Sequence, residues 1–159
     1  MPSRFAPQVH LRDVIESDLP IFFSNQSDPE AVAMAAFPAR DRQAHFSHWK
    51  KAMADETNIL KSILVDGQVA GNLVSWDDSG KRQVGYWLGR EFWGRKIATA
   101  ALQMFLEEVK TRPLYARVAR HNRGSARVLE KCGFRLVGVD GVLPENAPDP
   151  VAEYIFQLD

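Results

Sequence analysis

Cysteine is nearly absent: Cys132 stands alone among 159 residues. No internal disulfide can staple the fold, and a reducing, cytoplasmic setting is expected. Net charge is also absent. Twenty basic and twenty acidic residues cancel, with a pI near 6.9, which argues against wholesale attraction to nucleic acid or to an anionic membrane. No apolar run approaches the ~20 residues of a membrane span, and Met1 to Asp13 lacks the apolar core of a secretory leader. Internal repeats, low-complexity tracts and linkers are missing too. What remains is a globular composition, 45 % hydrophobic and 25 % charged, which excludes disorder and collagen-like repeats. The length suits one domain, so residues 1–159 are expected to form a single unit.

The chain opens on a strand, Val9 to Val14, and Ser17 is expected to cap a short helix through Ile21, Phe22 and Phe23. Asp28-Pro29-Glu30 is a second helix start, with a capping residue, proline at the first helical position and an acid in the first turn. Phe46, Trp49 and Met53 recur at helical spacing, which predicts a helix over Asp41 to Ala54. The middle is different. Ile59 to Val65, Gln68 to Trp76 and Arg82 to Leu88 are short apolar runs broken by Asp66-Gly67 and by Asp77 to Gly80. That pattern predicts an antiparallel meander.

After Gly89 the period changes. Ala98, Ala101, Leu102, Phe105, Leu106 and Val109 form one apolar stripe of a helix. Leu114 to Ala119 reads as a strand. Asn122 is placed to cap a further helix that ends at Cys132, with Gly133 in a left-handed cap and Phe134 packing back. Phe134 to Val139 and Ala152 to Leu158 read as closing strands joined by the loop Gly141 to Pro150. A meander followed by two strand-helix-strand passages predicts an α/β fold with a mixed sheet.

One helix is charged against its dipole. Arg95 and Lys96 occupy the start of the helix that follows Gly94, where acids are favoured, and no charge follows until Glu107. A bound anion would offset this, held by free backbone N–H groups and two cations. Gly89 and Gly94 would let backbone approach a phosphate closely. A solvated helix end with two exposed cations is the competing reading, and charge alone slightly favours it.

The run Tyr86 to Leu102, with Gly89, Gly94 and Ala98 in its loop, resembles the acetyl-CoA-binding strand, loop and helix of the GNAT superfamily of N-acetyltransferases. Asn122-Arg123-Gly124-Ser125, followed by Val128 to Phe134, is similar to the superfamily's second signature. The two stand in order, about 30 residues apart. Together with Leu11-Arg12, Ser17-Asp18 and Ser27 to Glu30 they resemble the branch containing the ribosomal-protein Nα-acetyltransferases (RimJ/RimL-like).

The resemblance implies a single GNAT-type α/β domain. Its sheet is mixed but mostly antiparallel, of about six to seven strands flanked by helices, with splayed central strands forming the acetyl-CoA cleft. It implies acetyl-CoA as cosubstrate and no metal. The CoA pyrophosphate would lie on Gly94, Arg95, Lys96, Ile97, Ala98 and Thr99. Trp87 and Leu88 would pair their backbone with the pantetheine arm, and Asn122 would hold that arm from the other side. The acceptor would be a primary amine, a protein N-terminus or a small molecule, with no nucleic acid or membrane partner, on a monomer or homodimer.

This chain departs from the family pattern. Trp93 and Lys96 replace two positions of the phosphate loop, and a lysine is tolerable there if the residue keeps a helical backbone, because the amide is what binds. The tyrosine that many members carry seven residues after the asparagine is Leu129 here. Ser125 is the branch's usual replacement, and so the candidate that hydrogen-bonds or protonates the departing thiolate; otherwise it only satisfies a helix-start amide. Gln83 stands where some relatives keep a basic glutamate, so no general base is assigned; Glu91, Asp77, Asp78 and Glu153 are the carboxylates within conceivable reach. His10, His45, His48 and His121 lack metal-ligand spacing and are expected on surfaces. Trp76, Tyr86, Trp87, Phe92 and Trp93 are expected around the cleft, Tyr86 as core. Gln83 and Leu129 keep open a rival, a non-catalytic acyl-CoA-binding or regulatory domain.

Overall fold

The computed structural model describes residues 7–35, 39–140 and 152–159. Among these, seven strands form one sheet in the order β1-β2-β3-β4-β5-β7-β6. The strands are β1 (Val9–Asp13), β2 (Ile59–Val65), β3 (Gln68–Asp78), β4 (Lys81–Leu88), β5 (Leu114–Ala119), β6 (Arg135–Asp140) and β7 (Glu153–Leu158). The helices are α1 (Leu19–Gln26), α2 (Pro29–Ala35), α3 (Arg42–Ala54), α4 (Ile97–Glu108) and α5 (Arg123–Lys131). The predicted loop Gly141 to Pro150 lies outside the described residues.

β1 to β4 run antiparallel, β4 and β5 are parallel, and β7 inserts antiparallel between β5 and β6. The Asp66-Gly67 and Ser79-Gly80 turns close the meander, all four residues at positive φ. Local chemistry sets the helix boundaries. Asp28 accepts from the Glu30 amide at 3.0 Å beside Pro29, and Asp41 accepts from the Ala44 amide at 2.8 Å. At the end of α5, Gly133 is left-handed with φ 94° and the buried Phe134 returns its amide to Leu129 at 3.0 Å.

Two expectations fail near the start. Ser17 does not cap a helix; it lies inside a 3-10 turn, Glu16–Asp18, whose work is done by Asp18. That carboxylate is 1 % exposed. It accepts from Arg12 at 2.7 and 2.9 Å, from Ser62 Oγ at 2.6 Å and from the Ile15 amide at 3.0 Å. Burial alone would raise its pKa, but these donors outweigh it and hold the carboxyl below its ordinary value. His45 is the second failure. It is 2 % exposed and donates through Nε2 to the Leu19 carbonyl at 3.0 Å, so it is a satisfied core residue of α3.

The main core lies under α4. Ile97, Ala101, Leu102 and Phe105 pack on Ile63, Leu73, Val84 and Leu114, as the stripe predicts. A smaller cluster, Val14, Leu19, Phe22 and Trp49, packs with Leu60, Val69 and Val74 and fixes α1 and α3 to the opposite face of β2 and β3.

Candidate active site

The site follows from a defect in the sheet. β4 and β5 pair only at Arg82↔Leu114 and Gln83↔Tyr115. Beyond Gln83, β4 stays paired with β3 up to Leu88 but no longer with β5. One edge of its last residues is therefore open, as backbone available to an extended ligand. Strand alternation decides which groups face the opening. The Trp87 carbonyl faces β3, since a Cβ on Gly71 would lie 2.0 Å from it. Tyr86 and Leu88 then present their backbone to the cleft side, where the Leu88 carbonyl accepts from Trp93 Nε1 at 2.9 Å.

A cavity of about 570 Å³ fills this opening. Its walls come from the end of β4, the starts of α4 and α5, and α2. Trp87, Leu88, Gly94, Lys96, Ile97, Ala98, Thr99, Asn122 and Ser125 all line it, so nine of the ten site residues expected from the sequence converge. The tenth, Arg95, does not line the cavity; its guanidinium lies 5.8 Å from the centre of the Phe92 ring. Met34, Phe92 and Trp93 add apolar surface. Trp76 does not take part: it is 38 % exposed and lies over Gly85.

The α4 start is unsatisfied. The helix begins at Ile97, two residues later than the charge pattern implied, and no side chain caps it. Its first turn holds no acid, so free N–H groups and a positive dipole end face the cavity beside the Lys96 ammonium. Lys96 does not keep a helical backbone. At φ 62° it is left-handed, in the region that favours glycine. Gly94, at φ 73°, shares that hand, with no atom within 4 Å of where its Cβ would stand. Gly89 serves another purpose than the one expected. A Cβ there would lie 2.9 Å from Asn25 Oδ1, so the glycine permits the α1 contact rather than a phosphate.

The α5 start is the opposite. Asn122 Oδ1 accepts from the Ser125 amide at 3.1 Å and caps the helix. Ser125 Oγ lies 2.8 Å from the Tyr86 hydroxyl, both in the cavity wall. Burial pushes the phenol up to about 12, against the opposing pull of the Ser125 hydrogen bond. Tyr86 packs against the main core, as expected from the sequence, but it also stands in the cavity wall, as a phenol that the sequence does not reveal. Leu129 is indeed buried core, but β4 supplies a phenol from the other wall. Period-2 alternation from Gln83 could not separate a cleft-facing from a core-facing tyrosine.

No carboxylate lines the cavity among the described residues; its titratable groups are Tyr86, Lys96, His121, Arg123, Arg127 and Lys131. Glu91, Asp77, Asp78 and Glu153 are not in its wall. Gln83 is buried, and its carbonyl accepts from Ser75 Oγ at 2.8 Å. His121 Nε2 donates to the Ala33 carbonyl at 2.8 Å, tying the β5–α5 loop to α2 across the cavity. Because a carbonyl only accepts, Nδ1 carries the free lone pair of the neutral ring. Cys132 is half-buried, with Sγ 3.7 Å from the Thr99 carbonyl; burial pushes its thiol up, away from nucleophilic character. Among the described residues no group of three metal-ligating side chains converges and no helix is long and apolar enough to cross a membrane.

Comparison with known proteins agrees with this architecture. The chain is 31 % identical over 100 residues to a Bacillus subtilis (strain 168) protein named "Putative ribosomal N-acetyltransferase YdaF". That match covers 58 % of this chain and 55 % of the relative, so it spans about half of the curated protein's length. Among solved structures, spermidine N-acetyltransferase from Vibrio cholerae, in complex with CoA and spermine, superimposes with a TM-score of 0.82 at 13 % identity, over 95 % of each chain. A GNAT-family acetyltransferase from Bacillus anthracis gives 0.79 at 18 % identity, over 97 % of this chain and 96 % of that one. These two likenesses are of fold. The model of the acetyltransferase (GNAT) domain matches residues 8–135, and the chain accordingly belongs to the GNAT acetyltransferase family.

Proposed function

We propose that this protein is an N-acetyltransferase that moves the acetyl group of acetyl-CoA to a primary amine. The observation that carries the proposal is the parting of β4 from β5 with an uncapped, cation-flanked helix start at one end of the gap and a hydroxyl pair at the other. A CoA thioester has the matching order of groups, with anionic phosphates, a strand-like pantetheine arm carrying amides, and a reacting thioester. The phosphates would take the amides of Gly94 and of Lys96 to Thr99 and the Lys96 charge. The arm would run along the open edge of β4 and pair with the backbone of Tyr86 and Leu88, with Asn122 opposite; the expected pairing with Trp87 does not hold, because its backbone faces β3. Arg95, off the cavity wall, would add long-range charge only.

The thioester carbon would then lie near Ser125. Attack by the neutral amine forms the C–N bond and expels the C–S electron pair onto sulfur. A hydroxyl donor at that sulfur stabilises charge that develops during the reaction, and so lowers the barrier rather than tightening binding. With no carboxylate in the described wall, the ammonium proton would leave to water or to His121 Nδ1. The acceptor is a protein N-terminus or a small amine: the relative at 31 % identity is named for ribosomal N-acetylation, and the Vibrio cholerae neighbour for spermidine. The reading is of a cytoplasmic, single-domain protein, a monomer or homodimer with no nucleic acid or membrane partner and no metal.

The test has two arms. CoA at a hundred times its Kd should stabilise the fold by about 2.7 kcal/mol, a Tm rise of about 5–10 °C at this chain length. Acetyl-CoA with a panel of amines and peptides should release thiol, followed with a thiol reagent. A thermal shift without turnover on any acceptor would favour the non-catalytic acyl-CoA-binding rival; no shift at millimolar CoA would end both.

A further inference from the structure

We propose that Tyr86 is a positioning residue for thiolate departure: its phenol donates to Ser125 Oγ and thereby commits the serine's own proton to the cleft. This rests on the acetyl-CoA reading above and adds to it a residue expected from the sequence to be core. The two oxygens are 2.8 Å apart and reach each other from opposite walls, Tyr86 from the open end of β4 and Ser125 from the first turn of α5. Either atom could donate. The phenol is the stronger acid and its oxygen the poorer acceptor, because its lone pair is shared with the ring. The aliphatic hydroxyl is the better acceptor.

With the phenol donating, Ser125 has one proton left. Its amide is already spent on Asn122 Oδ1 at 3.1 Å, so the backbone on which the hydroxyl rides is fixed as well. A serine in a first turn otherwise rotates freely or returns its proton to a backbone carbonyl. Here, among the described residues, Tyr86 is the hydroxyl's one hydrogen-bond partner, and the serine stands in the wall of the cavity where a CoA sulfur would lie. No covalent change occurs at either hydroxyl. The C–S pair remains on sulfur, the Ser125 hydrogen bond holds it as thiolate, and its proton comes from water. Burial pushes the phenol pKa up, so the phenol keeps the proton it donates. Cys132 is the titratable group whose charge bears on the phenol, and its thiol is also pushed up by burial. Lys96, His121, Arg123, Arg127 and Lys131 are the other titratable groups around the cavity; none carries negative charge.

The inference is tested without knowing the acceptor, by titrating the thiol of CoA bound to the intact protein. The ultraviolet thiolate absorbance is read as the difference between CoA and desulfo-CoA complexes, which cancels tyrosinate. A hydroxyl donor aimed at sulfur lowers the thiol pKa of bound CoA relative to free CoA by about one pH unit. Tyr86→Phe should return most of that shift while leaving the Kd for desulfo-CoA within about twofold, a combination that mere loss of packing does not produce. Ser125→Ala should do the same, and the double variant should go no further than either single. An unchanged thiol titration in Tyr86→Phe, or additive effects of the two substitutions, would overturn the positioning role while leaving the cofactor reading intact. Failure of the parent to bind CoA would instead overturn that reading, and this inference with it.

Discussion

Two helix starts in this molecule solve the same problem in opposite ways. Every helix begins with four amides that have no partner within it. At α3 the protein supplies a partner: Asp41 accepts from the Ala44 amide, while the His45 side chain, one turn in, is buried against the Leu19 carbonyl. At α4 it does not. No side chain caps the helix, no acid enters the first turn, and the capping position is a left-handed lysine facing a cavity. Both helices pack against the sheet, so burial does not explain the contrast. The difference marks which end is structural and which is left for a ligand. An unsatisfied, strained end persists only if the surrounding structure holds it there.

The most forceful way to break the comparison is through the ligand. Lys96→Ala should weaken CoA binding by about 1.5–3 kcal/mol, the range for hydrogen bonds to a charged partner, measured by calorimetric titration. Asp41→Ala should leave the same Kd unchanged. Arg95→Ala should fall between, its effect vanishing at high salt, because its charge acts across a distance that ions screen. Equal losses from Arg95→Ala and Lys96→Ala would mean that the geometry of the α4 start does not discriminate the two cations.

That distinction is where the sequence stops being legible. The periodicity of Ala98 to Val109 and the Asp-Gly turns are local signals, and the elements they predict lie within a residue or two of the observed ones. Asn122 as a cap and Gly133 as a left-handed stop are local too. The parting of β4 from β5 is not: it depends on register between residues 32 apart in the chain, Arg82 with Leu114 and Gln83 with Tyr115. Neither is the meeting of Tyr86 with Ser125, nor the burial of His45, whose partner is the carbonyl of Leu19. The backbone hand of Lys96 was hidden for another reason. A lysine at a helix start gives no sign of a left-handed conformation, because propensity disfavours it and tertiary structure imposes it.

The α3 start can be attacked by pH. Burial holds the His45 pKa below its ordinary 6.5, with the Leu19 carbonyl pulling the other way and Arg40 adding to the depression. A histidine held neutral in the fold charges more readily in the unfolded chain. Its contribution is therefore whole above pH 6.5 and is lost as pH falls below it, until the folded pKa is reached. The slope is at most about 1.4 kcal/mol per pH unit for one proton. Denaturant midpoints measured between pH 7.5 and 5 should show this loss, and His45→Gln should flatten it. Asp18 acts only at lower pH: its carboxyl is held below 3.8, so its contribution is lost as pH falls through the acid range.

The cap itself is a smaller lever. Asp41→Ala should cost about 1 kcal/mol of stability, read as a lower urea midpoint at unchanged m, with no effect on ligand-induced stabilisation. Asp41→Asn, which keeps an acceptor, should restore most of it. If Asp41→Ala also lowered the CoA-induced Tm shift, the two helix starts would be coupled and the contrast between them misdrawn.

The smallest expected effect separates backbone from charge at a single residue. Lys96 stands at φ 62°, where a side chain costs roughly 1 kcal/mol and glycine costs little. Lys96→Gly therefore relieves strain and removes the ammonium at once. Glycine gives back some of the gain through the greater freedom of the unfolded chain, so the ligand-free protein should become more stable by only about 0.5 kcal/mol. Lys96→Ala keeps the strained hand and should show no such gain. Both should lose the charge-assisted part of CoA binding. Opposite signs for fold stability and ligand affinity in Lys96→Gly, against a loss of affinity alone in Lys96→Ala, would identify the α4 start as a place where stability is given up to hold a cation toward an anion. If Lys96→Gly instead destabilised the ligand-free fold, the left-handed turn would depend on contacts of the lysine side chain, and the strain would have to be sought elsewhere in the loop.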